Sequence, residues 1–294
     1  MGRAQALAAI ILAVIAAGCS EERPPITVGS KNFLEQVLLG EIAAQHLERR
    51  LGYRVGRKLN LGGTMLAHGA LVNGDIDLYP EYVGTGASAV LGLPPMRDPD
   101  ELLRRVRLEY RQRYGLLWLE ALGFNNSFAL VVRRTDAERH RLATLSDAAR
   151  SQAGWRLGVG YEFQQRPDGL PTLLQVYRIP LAGGPKVMDL GLLYRALDQD
   201  VVNMVAANTT DGLLLSLDLT VLEDDRKIFP PYHAAFILRE ESVRHEPRMK
   251  EALQQLSGTL SDDTMRRLNH EVILHHGQVQ DVAAKFLSES GLSP

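Results

Sequence analysis

Histidine, serine, threonine and acidic side chains are the raw material of a catalytic or metal site, and their spacing in this chain builds neither. His140, His245 and His270 are scattered, and the adjacent His275 and His276 would diverge on a helix. No H-E-x-x-H pattern occurs, so metal ligation has no motif behind it. Ser30-Lys31 and Thr210-Asp211 stand alone, with neither a G-x-S-x-G elbow nor an S-x-x-K pair around them. No phosphate-cradling G-x-x-x-x-G-K-[ST] loop is present, and Gly84-Thr85-Gly86 is not a dinucleotide fingerprint. The expectation is a protein that is not an enzyme, with no catalytic residue, metal or cofactor.

Binding chemistry is better represented. Ser30, Lys31, Asn32 and Gln36 follow the first expected strand, Thr64 the second, and Tyr82 and Thr85 the third. In open α/β sheets a ligand settles beyond the carboxyl ends of strands, where loop amides and helix N-termini point. Six aromatic residues fall near the same edges: Tyr79, Tyr82, Phe124, Phe128, Tyr161 and Tyr232. Aromatic faces with little fixed negative charge suit a quaternary ammonium, which has no N–H to donate, at about 0.5–2 kcal/mol per desolvated face. Any one of these rings taken singly reads sooner as core than as a ligand contact.

The elements that must position these groups alternate between strand and helix. Residues 26–28 read as a strand, and Leu34, Leu38 and Ile42 set a helical stripe that Gly52 closes, with Ser30 or Asn32 as its cap. A strand at 55–61, a helix at 65–72 and a strand at 76–79 complete a β-α-β-α-β unit, the mark of a mainly parallel sheet. Asp98-Pro99 opens an arginine-rich helix whose charges read as a solvated face. A second α/β unit follows. The helical tail from Pro247 offers Leu253, Leu256, Leu260, Met265, Leu268, Val272 and Phe286 as core residues that return to the first unit.

The 294 residues suffice for two lobes, each with its own core. With 33 basic against 35 acidic residues, the chain lacks the basic excess of a nucleic-acid binder. The one long uncharged apolar run is N-terminal: Arg3, an apolar stretch from Ala4 to Ala17, then Gly18-Cys19-Ser20. This describes a lipoprotein-type signal peptide over 1–18 and a tether over 19–25. Ala16-Ala17-Gly18-Cys19 resembles a bacterial lipobox, although Ala16 stands where Leu is usual. Cys19 is the only cysteine, so an intrachain disulfide is impossible and lipidation explains it. The expected protein is an envelope lipoprotein, held at a bacterial membrane surface by acyl chains and facing the periplasm.

Six segments carry a family resemblance: G-S-K-N-F-L-E-Q at 29–36, G-D-I-D-L-Y-P-E-Y-V-G-T at 74–85, G-F-N-N-S-F-A-L at 123–130, R-P-D-G-L at 166–170, T-T-D-G at 209–212 and F-P-P-Y-H-A-A at 229–235. In order, they resemble osmoprotectant-binding proteins of ABC uptake systems, which bind glycine betaine, choline, carnitine and related compounds. The resemblance implies an α/β, two-lobed periplasmic-binding-protein fold (type II-like), with a hinge and a ligand cleft between lobes. Lobe 1 would comprise 26–132 plus 234–294, and lobe 2 would comprise 133–233. It implies a monomer that delivers a small quaternary-ammonium or zwitterionic ligand to an ABC permease, without nucleic acid. Tyr82 and Tyr232 look like cage walls, and Phe128 sits where relatives commonly have Tyr. Asn208 replaces another cage tyrosine, and Tyr161 is a candidate for the missing ring. Gln36 and Thr85 look like partners for the ligand's carboxylate or hydroxyl end, with Asn32 and Lys31 beside them, and Glu81 as a group facing the cation. The altered cage resembles the branch with weak osmoprotectant affinity or with a larger trimethylammonium ligand such as ergothioneine. An amino acid or other zwitterion, with Asn208 as a hydrogen-bonding group, is the alternative ligand; a periplasmic hydrolase and a structural lipoprotein are the alternative functions.

Overall fold

The computed structural model describes residues 26–274 and 278–292; the expected signal peptide, Cys19, the tether and the His275-His276 pair lie outside them. Among the described residues no helix is long and apolar enough to cross a membrane. The chain opens as β1 (Thr27–Gly29), α1 (Leu34–Leu51), β2 (Gly56–Lys58), α2 (Thr64–Asn73) and β3 (Leu78–Tyr82). Helix α1 starts after Phe33, without the expected side-chain cap, and ends at Gly52, whose φ of 77° frees its N–H for the carbonyl of Glu48. Helix α3 (Pro99–Tyr114) is capped by the Asp98 carboxylate, which accepts from the N–H groups of Asp100 and Glu101 at 2.9 Å, and leads into β4 (Leu116–Trp118).

The second lobe holds β5 (Phe128–Arg133), β6 (Leu157–Val159), α4 (Tyr161–Gln165), α5 (Leu170–Tyr177), β7 (Lys186–Val187), α6 (Leu193–Asp198), β8 (Met204–Asn208) and β9 (Leu219–Leu222). The chain then returns through β10 (Ala234–Arg239) and ends in α7 (Pro247–Gln254), α8 (Asp262–Leu274) and α9 (Val279–Glu289). The two five-stranded sheets run β2-β1-β3-β10-β4 and β7-β6-β8-β5-β9.

Each sheet is mixed rather than mainly parallel. In the first, β1 is parallel to β2 and β3, whereas β10 is antiparallel to β3 and β4 because it re-enters from the other lobe. In the second, β5 enters by the reverse crossing and is antiparallel to β8 and β9. Thus residues 128–133 belong to the second sheet, whereas the sequence expectation leaves 128–132 in lobe 1. An apolar hexapeptide reads alike as a central strand of either sheet, so its pattern does not say on which side of a crossing it lies.

The cores follow from strand alternation. Ala234, Phe236 and Leu238 of β10 face one apolar cluster of the first sheet, and Ala235 and Ile237 face the other. Leu130 and Val132 of β5 likewise oppose Ala129 and Val131 in the second sheet. Helix α1 buries Leu38, Leu39, Ile42 and Leu47 in the same cluster as all seven tail residues expected there, from Leu253 to Phe286.

Candidate functional site

Several chain segments converge between the two lobes. The loop from β1 to α1 contributes Lys31, Asn32, Phe33 and Glu35; the end of β3 and the turn beyond it contribute Tyr82 and Thr85. The crossings place Asn126, Phe128 and Tyr232, tied together by Tyr232 N–H donating to Asn125 Oδ1 at 2.7 Å and Asn126 N–H donating to the Tyr232 carbonyl at 3.1 Å. The second lobe contributes α4 and the segment around Asn208–Leu213. Together they line a cleft cavity of about 630 Å³, within the range of roughly 300–1,000 Å³ typical of small-molecule sites.

Its aromatic content is high. Phe128 meets Tyr232 edge to face at 5.3 Å and Phe163 at 4.8 Å, while Phe33 stacks on Tyr82 at 6.3 Å. Gly84 makes room for this wall, because a Cβ there would stand 2.6 Å from the Tyr232 ring and 2.7 Å from the Pro231 carbonyl. The protein's own cations lie on the same rings. Lys31 Nζ is 4.9 Å from the Tyr82 centroid, and the Arg166 guanidinium is 5.1 Å from Phe128 and 5.5 Å from Tyr232.

Both cations are buried and neutralised. Lys31 Nζ bonds Glu81 Oε1 at 2.5 Å, and Arg166 grips Asp168 with two nitrogens at 2.9 and 2.6 Å. Burial alone would raise the Asp168 carboxyl, but Arg166 and the Tyr232 hydroxyl, 2.6 Å away, outweigh it and hold it below the ordinary aspartate value. Polar contacts that link the lobes include Arg166 Nη1 donating to Thr85 Oγ1 at 2.8 Å and Thr64 N–H, at the start of α2, donating to Glu162 Oε1 at 2.7 Å.

The remaining acids correct the expectation of little fixed negative charge. Glu35, Glu162, Asp189 and Asp211 all line the cavity, against only Lys31 and Arg166 as cations. Burial pushes the carboxyls of Glu35 and Asp211 above their ordinary values. Glu35 still receives four hydrogen bonds, from Tyr82, Asn126, Thr210 and Asn269.

Of the residues singled out from sequence, Lys31, Asn32, Tyr82, Thr85, Phe128, Asn208 and Tyr232 all line the cavity. Asn208 is the cross-strand partner of Phe128, which puts it beside the aromatic wall. Tyr161, mostly exposed, lies at the same cleft. Gln36 does not line it: the side chain is wholly buried, with its oxygen 3.4 Å from the Lys31 N–H. One residue further along α1 than Glu35, it turns inward with the helix. Tyr79 and Phe124 are core residues, and Glu81 is spent on Lys31 instead of facing a ligand. Sequence reasoning passed over Phe33, Glu35, Phe163, Arg166, Tyr194 and Asp211, which also line the cavity. Phe33, Glu35, Arg166 and Asp211 lie inside the motifs quoted above, but an acid in a helix's first turn looks like an ordinary dipole partner. Among the described residues, no group of three or more His, Cys, Asp and Glu side chains is placed to hold a metal ion.

The profile of one family, the substrate binding domain of ABC-type glycine betaine transport systems, matches residues 24–289. The chain is 34% identical to the ergothioneine transport permease/ergothioneine binding protein EgtU of Helicobacter pylori over 92% of its own length, but spans only 48% of that relative. It is 33% identical to the glycine-betaine-binding protein of Pseudomonas aeruginosa, covering 95% of this chain and 92% of the relative. A crystal structure of a glycine betaine/carnitine/choline ABC transporter protein superimposes with a TM-score of 0.77 at 27% identity, over 92% of this chain and all of the other.

Proposed function

The chain belongs to the family of substrate-binding domains of ABC-type glycine betaine transport systems, and on that premise we propose that its cleft captures a quaternary-ammonium compound such as glycine betaine, choline or carnitine outside the cytoplasm and presents it to an ABC permease. The observation that carries this reading is the wall of Tyr82, Phe128 and Tyr232 in a cavity lined by four acids and two already neutralised cations. Rings attract a permanent cation without needing an N–H, and the surplus of carboxylates disfavours an anion. Thr85 accepts from Arg166 and keeps its own hydroxyl hydrogen for a ligand carboxylate or hydroxyl, with Asn32 beside the same cavity.

Closure is the proposed mechanism. A ligand touching both lobes stabilises the arrangement in which Arg166 meets Thr85 and Glu162 meets Thr64, and the permease responds to that arrangement. Cys19 is the proposed lipid anchor, residues 1–18 the cleaved signal, and the working unit a monomer with lobe 1 built from both ends of the chain. A second reading, a bulkier trimethylammonium compound such as ergothioneine, draws support from Asn208, a smaller side chain than a ring, and from Asp189 and Asp211 in the lining of the same cavity.

Calorimetric titration of the protein with glycine betaine, choline, carnitine, ergothioneine, proline and arginine tests both. Saturable binding confined to the trimethylammonium compounds, weakened at least about ten-fold by Tyr232→Ala, is expected. Binding of proline or arginine alone would overturn the cage reading.

A further inference from the structure

We infer that Glu35 makes this cleft select positive charge, acting through the Tyr82 ring; the inference rests on the reading that a quaternary ammonium group lies in the cage to which that ring belongs. Glu35 is buried at the start of α1, and its two oxygens accept from Tyr82 Oη at 2.6 Å, Asn126 Nδ2 at 2.8 Å, Thr210 Oγ1 at 2.5 Å and Asn269 Nδ2 at 2.8 Å. None of these four partners is a cation. The Asn269 amide also donates to the Thr210 carbonyl at 2.8 Å, and two acceptors fix its NH2 toward Glu35. The carboxylate is therefore held by donors while its charge stays uncompensated.

A phenol that donates a short bond to a carboxylate gains electron density on its ring, and the ring face then attracts a cation more strongly. The site is shielded from water, so the charge behind the ring is weakly screened. The other cage tyrosine supplies an internal contrast. Tyr232 also donates to a carboxylate at 2.6 Å, but that carboxylate, Asp168, already holds both arms of Arg166. Glu81 is likewise committed to Lys31, and Asp211 accepts from the Leu213 N–H of its own loop. Glu35 couples an uncompensated charge to the Tyr82 ring of the cage. It is a positioning residue for the ligand's charge, and its role is to set preference between ligands of equal shape.

The test uses two pairs of ligands that differ only in nitrogen against carbon at the head: choline with 3,3-dimethylbutan-1-ol, and glycine betaine with 3,3-dimethylbutanoate. Wild-type protein is expected to prefer the ammonium member of each pair. Glu35→Gln, close in shape, is expected to weaken the ammonium members about ten-fold while leaving the carbon members within about two-fold. Tyr82→Phe should erode the same preference less, and adding it to Glu35→Gln should change little, because both remove one coupling. Equal weakening of both members of a pair by Glu35→Gln would show a scaffold role and overturn the inference, as would an unchanged preference. A wild-type protein without any preference for the ammonium members would bring down the cage reading and the inference together.

Discussion

Arg166 and Asp168 stand two residues apart, almost wholly out of water, in a bidentate pair that also receives the Tyr232 hydroxyl. Removing one member of such a pair strands a buried charge, at a cost of about 3–5 kcal/mol. Asp168→Asn is therefore expected to lower unfolding stability by that order, read from urea titration. The pH dependence has a definite sign. Folding holds the Asp168 carboxyl below its ordinary 3.8, so its stabilisation is complete above 3.8 and drains away as the pH falls through the lowered value. Glu35 acts in the opposite sense: burial raises it above 4.5, so the folded state gains from low pH and loses that gain as the pH rises through the raised value. Urea midpoints between about pH 3 and 6 should lose their acid-side fall in Asp168→Asn and their gain on acidification in Glu35→Gln. Tyr82, Phe128 and Tyr232, which line the cavity, were legible through the motifs that resemble a known family, since each ring taken singly reads sooner as core. The electrostatics of the site were not, since Glu35 takes its four partners, and Arg166 its link to Thr85, from residues far off in the sequence.

Among the elements, α8 serves two masters. Its Met265, Leu268 and Val272 sit in the first-lobe core, while Arg266 and Asn269, along the margin of that same face, receive the loop after β8: Arg266 Nε donates to the Thr209 carbonyl at 2.8 Å and Asn269 to that of Thr210. Gly212 permits this approach, because a Cβ there would lie 2.4 Å from the His270 backbone nitrogen and 2.6 Å from its Cα. Both neighbours are backbone, so neither can swing aside. Gly212→Ala is expected to push the loop off α8 at a cost of about 1–3 kcal/mol, weakening ligand binding by ten-fold or more with both lobes still folded. Titration together with near-ultraviolet circular dichroism checks it, and unchanged affinity would show the contact to be slack. The periodicity of α8 announced its apolar stripe, but nothing in its sequence announced the second partner. The spacing of Asn269 from Met265 and Val272 puts it on the buried face, but only the loop it meets says what its amide is for. The strands fared similarly: β5 and β10 were evident as apolar runs, whereas their antiparallel pairing depended on where the chain crosses.

At the scale of the molecule, the two lobes are built differently. The second sheet is drawn from one continuous stretch, β5 to β9, while the first needs β10 and the tail helices from the far end of the chain. Helix α9 lies on α1, with Gln45 Nε2 donating to the Gln280 carbonyl at 2.8 Å and Phe286 and Leu287 joining the core of Leu38 and Leu39. Deleting residues 279–294 is expected to strip the first-lobe core of Phe286 and Leu287, abolish ligand binding and expose apolar surface to a hydrophobic dye, while the second-lobe core keeps its own residues. A truncated chain that still bound ligand would show the tail to be dispensable.

That arrangement carries a consequence for how the protein folds. Helices α1 and α9 meet in one core across most of the described chain, so closing the first lobe must overcome the entropy of a very long loop before its contacts repay it, whereas the second lobe closes over shorter spans.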